Sequence, residues 1–87
     1  MAISNAQVSI GTVATAIDGV WTNPSQIAIH NADNTQAVYI GGEGVTPLNG
    51  MIIEKLDTLQ FTLNPLEQIY AVSTKLGHTI SYLRQTI

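Results

Sequence analysis

At 87 residues the chain has room for one small domain and none for separate cofactor and substrate domains. It contains no cysteine, which excludes a disulfide framework, a cysteine-based zinc site and a thiol nucleophile. Three cations, Lys55, Lys75 and Arg84, stand far apart against six acids for a formal net charge of -3, so the clustered basic footprint that nucleic-acid binding needs is missing.

Charged residues make up 10% of the chain, against about 25% in ordinary soluble domains, while the apolar share stays ordinary. The surface is therefore built of Thr, Ser, Asn, Gln and Gly. That composition suits a protein packed against others, and equally a monomer with a weakly charged exterior. A chain this short buries only about 60% of its unfolded surface, and without disulfides the remaining source of extra burial is association with copies of itself or with a larger body.

In chain order, residues 1–10 (MAISNAQVSI) lack a basic region followed by an apolar run, and no stretch approaches the roughly 20 apolar residues that span a bilayer. The expectation is synthesis in the cytoplasm with no secretory signal, membrane anchor or membrane partner. Residues 1–10 read as an N-terminal arm and possible first strand, and 11–87 as a single domain. Residues 6–10 and 11–17 read as one or two strands rich in Val, Thr and Ile. A loop follows at Trp21-Thr22-Asn23-Pro24. Residues 26–31 (QIAIHN) then put Ile27 and Ile29 on one face and Ala28 and His30 on the other, the period of two that marks a half-buried strand.

Asn31-Ala32-Asp33-Asn34 is turn chemistry and predicts a hairpin into the next strand, residues 37–40. Gly41-Gly42-Glu43-Gly44 leads into Val45-Thr46-Pro47, a β-type segment. A phosphate loop leads instead into a helix N-terminus and carries Lys-Ser/Thr or a third glycine at dinucleotide spacing. These glycines therefore read as a structural corner, where glycine permits positive φ. Asn49-Gly50 signals a tight hairpin. Residues 51–54 (MIIE) are more apolar than an exposed step, so Ile52 and Ile53 either plug the end of the domain or form a contact surface. Residues 58–63 (TLQFTL) alternate cleanly, with Leu59, Phe61 and Leu63 on one face. Residues 68–73 and 78–84 complete the series. Seven or eight short strands without an amphipathic helix predict an all-β fold, a small antiparallel β-sandwich or barrel.

Catalytic and metal-binding patterns are thin. His30 with Asp33 is the nearest thing to a metal pair, and reads better as a surface hydrogen bond. Glu54 and Asp57 read as solvated loop acids, and a Ser73, His78, Asp57 triad can be drawn as in any chain of this length. The expectation is no enzyme, no metal and no cofactor.

The order YIGG, VT, NG and IYAVS within residues 26–83 resembles small β-sandwich virion proteins of tailed bacteriophages, notably capsid decoration or cement proteins. The resemblance makes Tyr39, Ile40, Gly41, Gly42, Val45, Thr46, Asn49, Gly50, Ile69, Tyr70, Ala71 and Val72 fold-defining, together with Gly44 in the corner. It implies a virion protein on the capsid exterior, bound to the phage major capsid protein and self-associating, with a trimer on a local three-fold favoured. Ala2, Ile3, Ser4, Asn5, Ala6 and Gln7, as an arm that orders on binding or adds as a strand, are the expected contact residues, with Ile52 and Ile53 as a second candidate. Two alternatives are a tail, connector or fibre accessory, and a carbohydrate-binding module that stacks Trp21, Tyr39 or Tyr70 on a sugar.

Overall fold

The computed structural model describes residues 3–87. Eight strands follow one another: β1 (Ile3–Ile10), β2 (Thr15–Ala16), β3 (Ser25–Asn31), β4 (Val38–Gly41), β5 (Met51–Ile53), β6 (Thr58–Leu63), β7 (Tyr70–Val72) and β8 (His78–Thr86). They form two four-stranded antiparallel sheets, ordered β1-β8-β3-β6 and β2-β7-β4-β5. This is the connectivity of a jelly roll, in which the chain passes from sheet to sheet as it wraps. The all-β sandwich expected from the period-two pattern is the fold.

Alternation explains which residues meet between the sheets. In β3 every second residue is fully covered: Ile27 and Ile29 face Val38 and Ile40 of β4, Ile53 of β5 and Ala71 of β7 across the core, with Ile80 of β8 beside them in their own sheet. Val8, Leu59, Phe61 and Ile69 close over the core from its borders while staying partly exposed.

Two turn expectations need correction. Asn31–Asn34 does not make a hairpin: β3 pairs with β6 and β8, β4 pairs with β5 and β7, and the loop carries the chain between sheets. Asn31 turns its side chain inward, and its Nδ2 donates to the carbonyls of Gln36 and Ile53, each at 3.0 Å. Asn49-Gly50 does belong to a hairpin, since β4 and β5 pair antiparallel, but it does not close a two-residue turn. It ends the nine-residue loop 42–50 between β4 and β5, where the N–H groups of Asn49 and Gly50 both donate to the Thr46 carbonyl.

The glycine corner also works differently from the expectation. None of Gly41, Gly42, Gly44 and Gly50 has positive φ. Gly41 and Gly50 are needed because Val45 folds back onto them: a Cβ at Gly50 would lie 2.8 Å from Val45 Cγ2 and from Tyr39 Cβ. Close approach, not left-handed backbone, selects glycine there. The left-handed positions among the described residues are Gly77, Leu56 and Leu66.

Candidate interaction surface

The charged side chains are segregated. Asp18, Asp33, Glu43, Glu54, Lys55, Asp57, Glu67 and Lys75 all lie in connecting loops. The ninth, Arg84, is within β8 but 1% exposed, held by Nε to Ser25 Oγ at 2.8 Å and by Nη1 to the Gly19 carbonyl at 2.9 Å, with its guanidinium carbon 4.5 Å from the centre of the Trp21 ring. Asp18 stands 3.7 Å from the same Nη1. The strands therefore present no charged side chain to solvent, and charge gathers at the two ends of the sandwich.

Those neutral flanks include two full-length strand edges. β1 and β6 border the first sheet, each with one edge paired and the other free, and neither carries the Lys, Pro or inward charge that usually guards such an edge. The edges of the second sheet, β2 and β5, are only two and three residues long.

Along the β6 side the sheets part, and an apolar groove of about 360 Å³ opens between them, lined by Ile40, Gly41, Met51, Leu59, Phe61 and Ile69. The turns at either end of β6 add exposed leucines. In Glu54-Lys55-Leu56-Asp57 the Asp57 N–H closes on the Glu54 carbonyl, with Leu56 at φ 59°. In Asn64-Pro65-Leu66-Glu67 the Glu67 N–H closes on Asn64, with Leu66 at φ 69°. Positive φ at the third position is that of a type II turn, normally a place for glycine. Leu56 is 58% exposed and Leu66 67%.

Ile3 to Gln7 are not a free arm: they form most of β1, in register with β8 from Ile3 opposite Gln85 to Gln7 opposite Ser81, and Ala2 lies outside the described residues. Ile53 is a correction. It is 2% exposed and packed in the core opposite Val38, so it cannot touch a partner, whereas Ile52 points outward and is half exposed. The β6 flank had no place among the expected contacts. Its signal was present in TLQFTL between two turns that carry leucine where glycine is usual.

The catalytic drawings separate. His30 Nδ1 pairs with Thr58 Oγ1 at 2.9 Å, while Asp33 is taken up by Lys75, Thr35 and the Gln36 N–H. Asp57 Oδ1 accepts from its neighbour's N–H, and no carboxylate pair forms with Glu54. Ser73 and His78 do meet, at 2.8 Å from Oγ to Nδ1, but the third partner is Asn31 Oδ1, 2.7 Å from Nε2. All three are at most 1% exposed, so this network pins the ends of β3, β7 and β8 and admits no substrate. Among the described residues no group of three or more His, Asp or Glu could hold a metal ion. For the sugar platform, one ring face of Trp21 is occupied by Arg84, and Tyr39 and Tyr70 are half-buried in the second sheet.

No family model matches the chain, and no curated protein matches it in sequence. Among solved structures it is similar to a subunit of Bacillus endospore appendages, described as disulfide-linked pili, with a TM-score of 0.64 at 16% identity over 99% of this chain and 86% of that one. At that identity the likeness establishes a shared fold.

Proposed function

We propose that this chain is a non-enzymatic structural subunit that works by packing side-on against a larger protein assembly and against copies of itself. The observation that carries this reading is the confinement of exposed charge to the loops, which leaves neutral strands, edges and sheet faces along the sandwich. Like-charged ends disfavour end-to-end contact, and neutral flanks impose no desolvation penalty of buried charge when covered.

Within that role, the finer reading is a decoration protein on the exterior of a tailed-phage head. Binding only the assembled shell would stabilise it by mass action, without any chemistry. A second reading, subunit of a surface appendage, is favoured by the fold shared with the Bacillus pilus subunit. Disulfide linkage cannot come with it, because this chain has no cysteine.

Co-sedimentation with mature capsid shells stripped of the protein separates the two. Saturable binding with a raised shell melting temperature supports decoration. Absence of binding together with filaments from the purified chain in electron micrographs replaces it with the appendage reading, and a monomer that does neither overturns both.

A further inference from the structure

The β6 flank brings four features to one place: an unguarded strand edge, an apolar groove beside it, an exposed left-handed leucine at each end, and a cation without a partner. Among the described residues Lys55 makes no ion pair, while Lys75 and Arg84 each have an acid. We propose that the occupant of this flank is a second copy of the same chain, joined by antiparallel pairing of β6 with the partner's β6 about a two-fold axis through Phe61.

Such an axis, perpendicular to the sheet, keeps each side chain on its own face. Phe61 then opposes the partner's Phe61 on the core side, Leu59 opposes the partner's Leu63, and Gln60 opposes the partner's Thr62 on the outside. Aromatic and aliphatic cross-strand pairs of this kind are the unit by which sheets are stabilised. The two four-stranded sheets merge into one of eight, and the grooves of the two copies face one another across Leu59, Phe61 and Met51, so each covers the other.

The same register, followed beyond the strand, supplies charge complementarity. It sets the turn carrying Leu56 beside the partner's turn carrying the partner's Leu66, and it sets Lys55 beside the partner's Glu67, twice by symmetry. Asp57 falls outside the ladder, and the ladder itself contains no charge. The strained leucines thereby gain a role: each is a contact side chain held outward by its turn. Pairing at the other free edge, β1, offers no comparable groove or ion pair, and the two-fold differs from the three-fold expected from the phage resemblance. The pairing goes beyond the packing role proposed above and does not depend on which larger assembly is involved.

The test is sedimentation equilibrium of the purified chain at micromolar concentrations, with circular dichroism to certify each variant as folded. The expected mass is twice the 9.3 kDa of one chain. Lys55→Glu alone and Glu67→Lys alone should each weaken association, and the two combined in one chain should restore it. Gln60→Lys with Thr62→Lys should weaken it by roughly tenfold or more by placing like charges opposite one another, while Gln7→Lys on β1 should leave it unchanged. Because the chain has no cysteine, a mixture of Gln60→Cys and Thr62→Cys chains should also oxidise preferentially to the mixed covalent dimer. A monomer, a trimer, sensitivity to Gln7→Lys, or failure of the charge swap to rescue would overturn the pairing. A monomer would also remove the self-packing part of the proposed role, whereas attachment to a larger assembly is tested separately by the shell-binding experiment.

Discussion

His78 shows what a single residue contributes to this fold. Asn31 Nδ2 is committed to backbone carbonyls, so its Oδ1 accepts from His78 Nε2–H, and His78 Nδ1 is left to accept from the Ser73 hydroxyl. The neutral tautomer is thus specified from both sides. Burial disfavours the imidazolium and holds the pKa below its ordinary 6.5; the Asp33 charge opposes this and Lys75 adds to it. The unfolded chain therefore binds a proton that the folded chain resists. Stability should be level above about pH 6.5 and fall as pH drops through 6.5 toward the lowered folded value, by at most about 1.4 kcal/mol per pH unit. Asp33 acts lower down. Its carboxyl sits well below 3.8, chiefly through the Lys75 contact and then Thr35, so its contribution is present above 3.8 and lost below it. Denaturant titrations across pH should separate the two windows. His78→Leu should cost about 2–3 kcal/mol by leaving the buried Ser73 hydroxyl without its acceptor and taking one of the two donors from Asn31 Oδ1, which keeps the Asp33 N–H, and should flatten the upper window while leaving the lower one.

At the level of elements, the loop 42–50 and the β6 turns make opposite predictions for glycine. Gly50→Ala drives a Cβ to 2.8 Å from Tyr39 Cβ and should cost about 1–3 kcal/mol, whereas Gly42→Ala meets nothing within 4 Å and should stay within about 0.5 kcal/mol of the parent, both read from urea midpoints. Leu66→Gly should raise the monomer's stability by up to about 1 kcal/mol by relieving a left-handed leucine, with a midpoint shift upward as the readout. The strand alternation made most of this legible beforehand: QIAIHN and TLQFTL have an odd-even pattern that only a half-covered sheet satisfies, and β3 and β6 lie where that pattern puts them. Partner choice was not legible. Asn31–Asn34 has the composition of a hairpin turn, but composition is local, and whether two strands share a sheet is decided by where Ile29 and Val38 find apolar cover. The same limit hid the β6 flank, since a free edge is defined by the absence of a neighbouring strand and no local run of residues records that absence.

For the whole molecule, the pairing of the two chain ends matters most. β1 and β8 are matched over eight positions, from Ile3 opposite Gln85 to Ile10 opposite His78, and β8 is itself the central partner of β3. A chain whose first strand pairs with its last closes its largest loop to complete one sheet, so β1 is an integral strand by topology even though its outer half is solvent-exposed. A dispensable docking arm and a sheet strand differ in what their removal does. Deleting residues 1–7 would strip β8 of its neighbour from Ser81 to Gln85 and remove the Ser4 hydroxyl that lies 3.3 Å from Tyr82. The expected loss is about 2 kcal/mol, which for a domain of this size lowers the melting temperature by roughly 10 °C. The newly bared edge of β8, from Ser81 to Gln85, presents no charge to solvent because Arg84 is buried, so the truncated chain should also self-associate or precipitate on heating where the full chain refolds. A truncated chain with an unchanged melting temperature would mean that the β1–β8 ladder adds nothing to the sandwich, and that the N-terminal segment is free to serve as a docking arm.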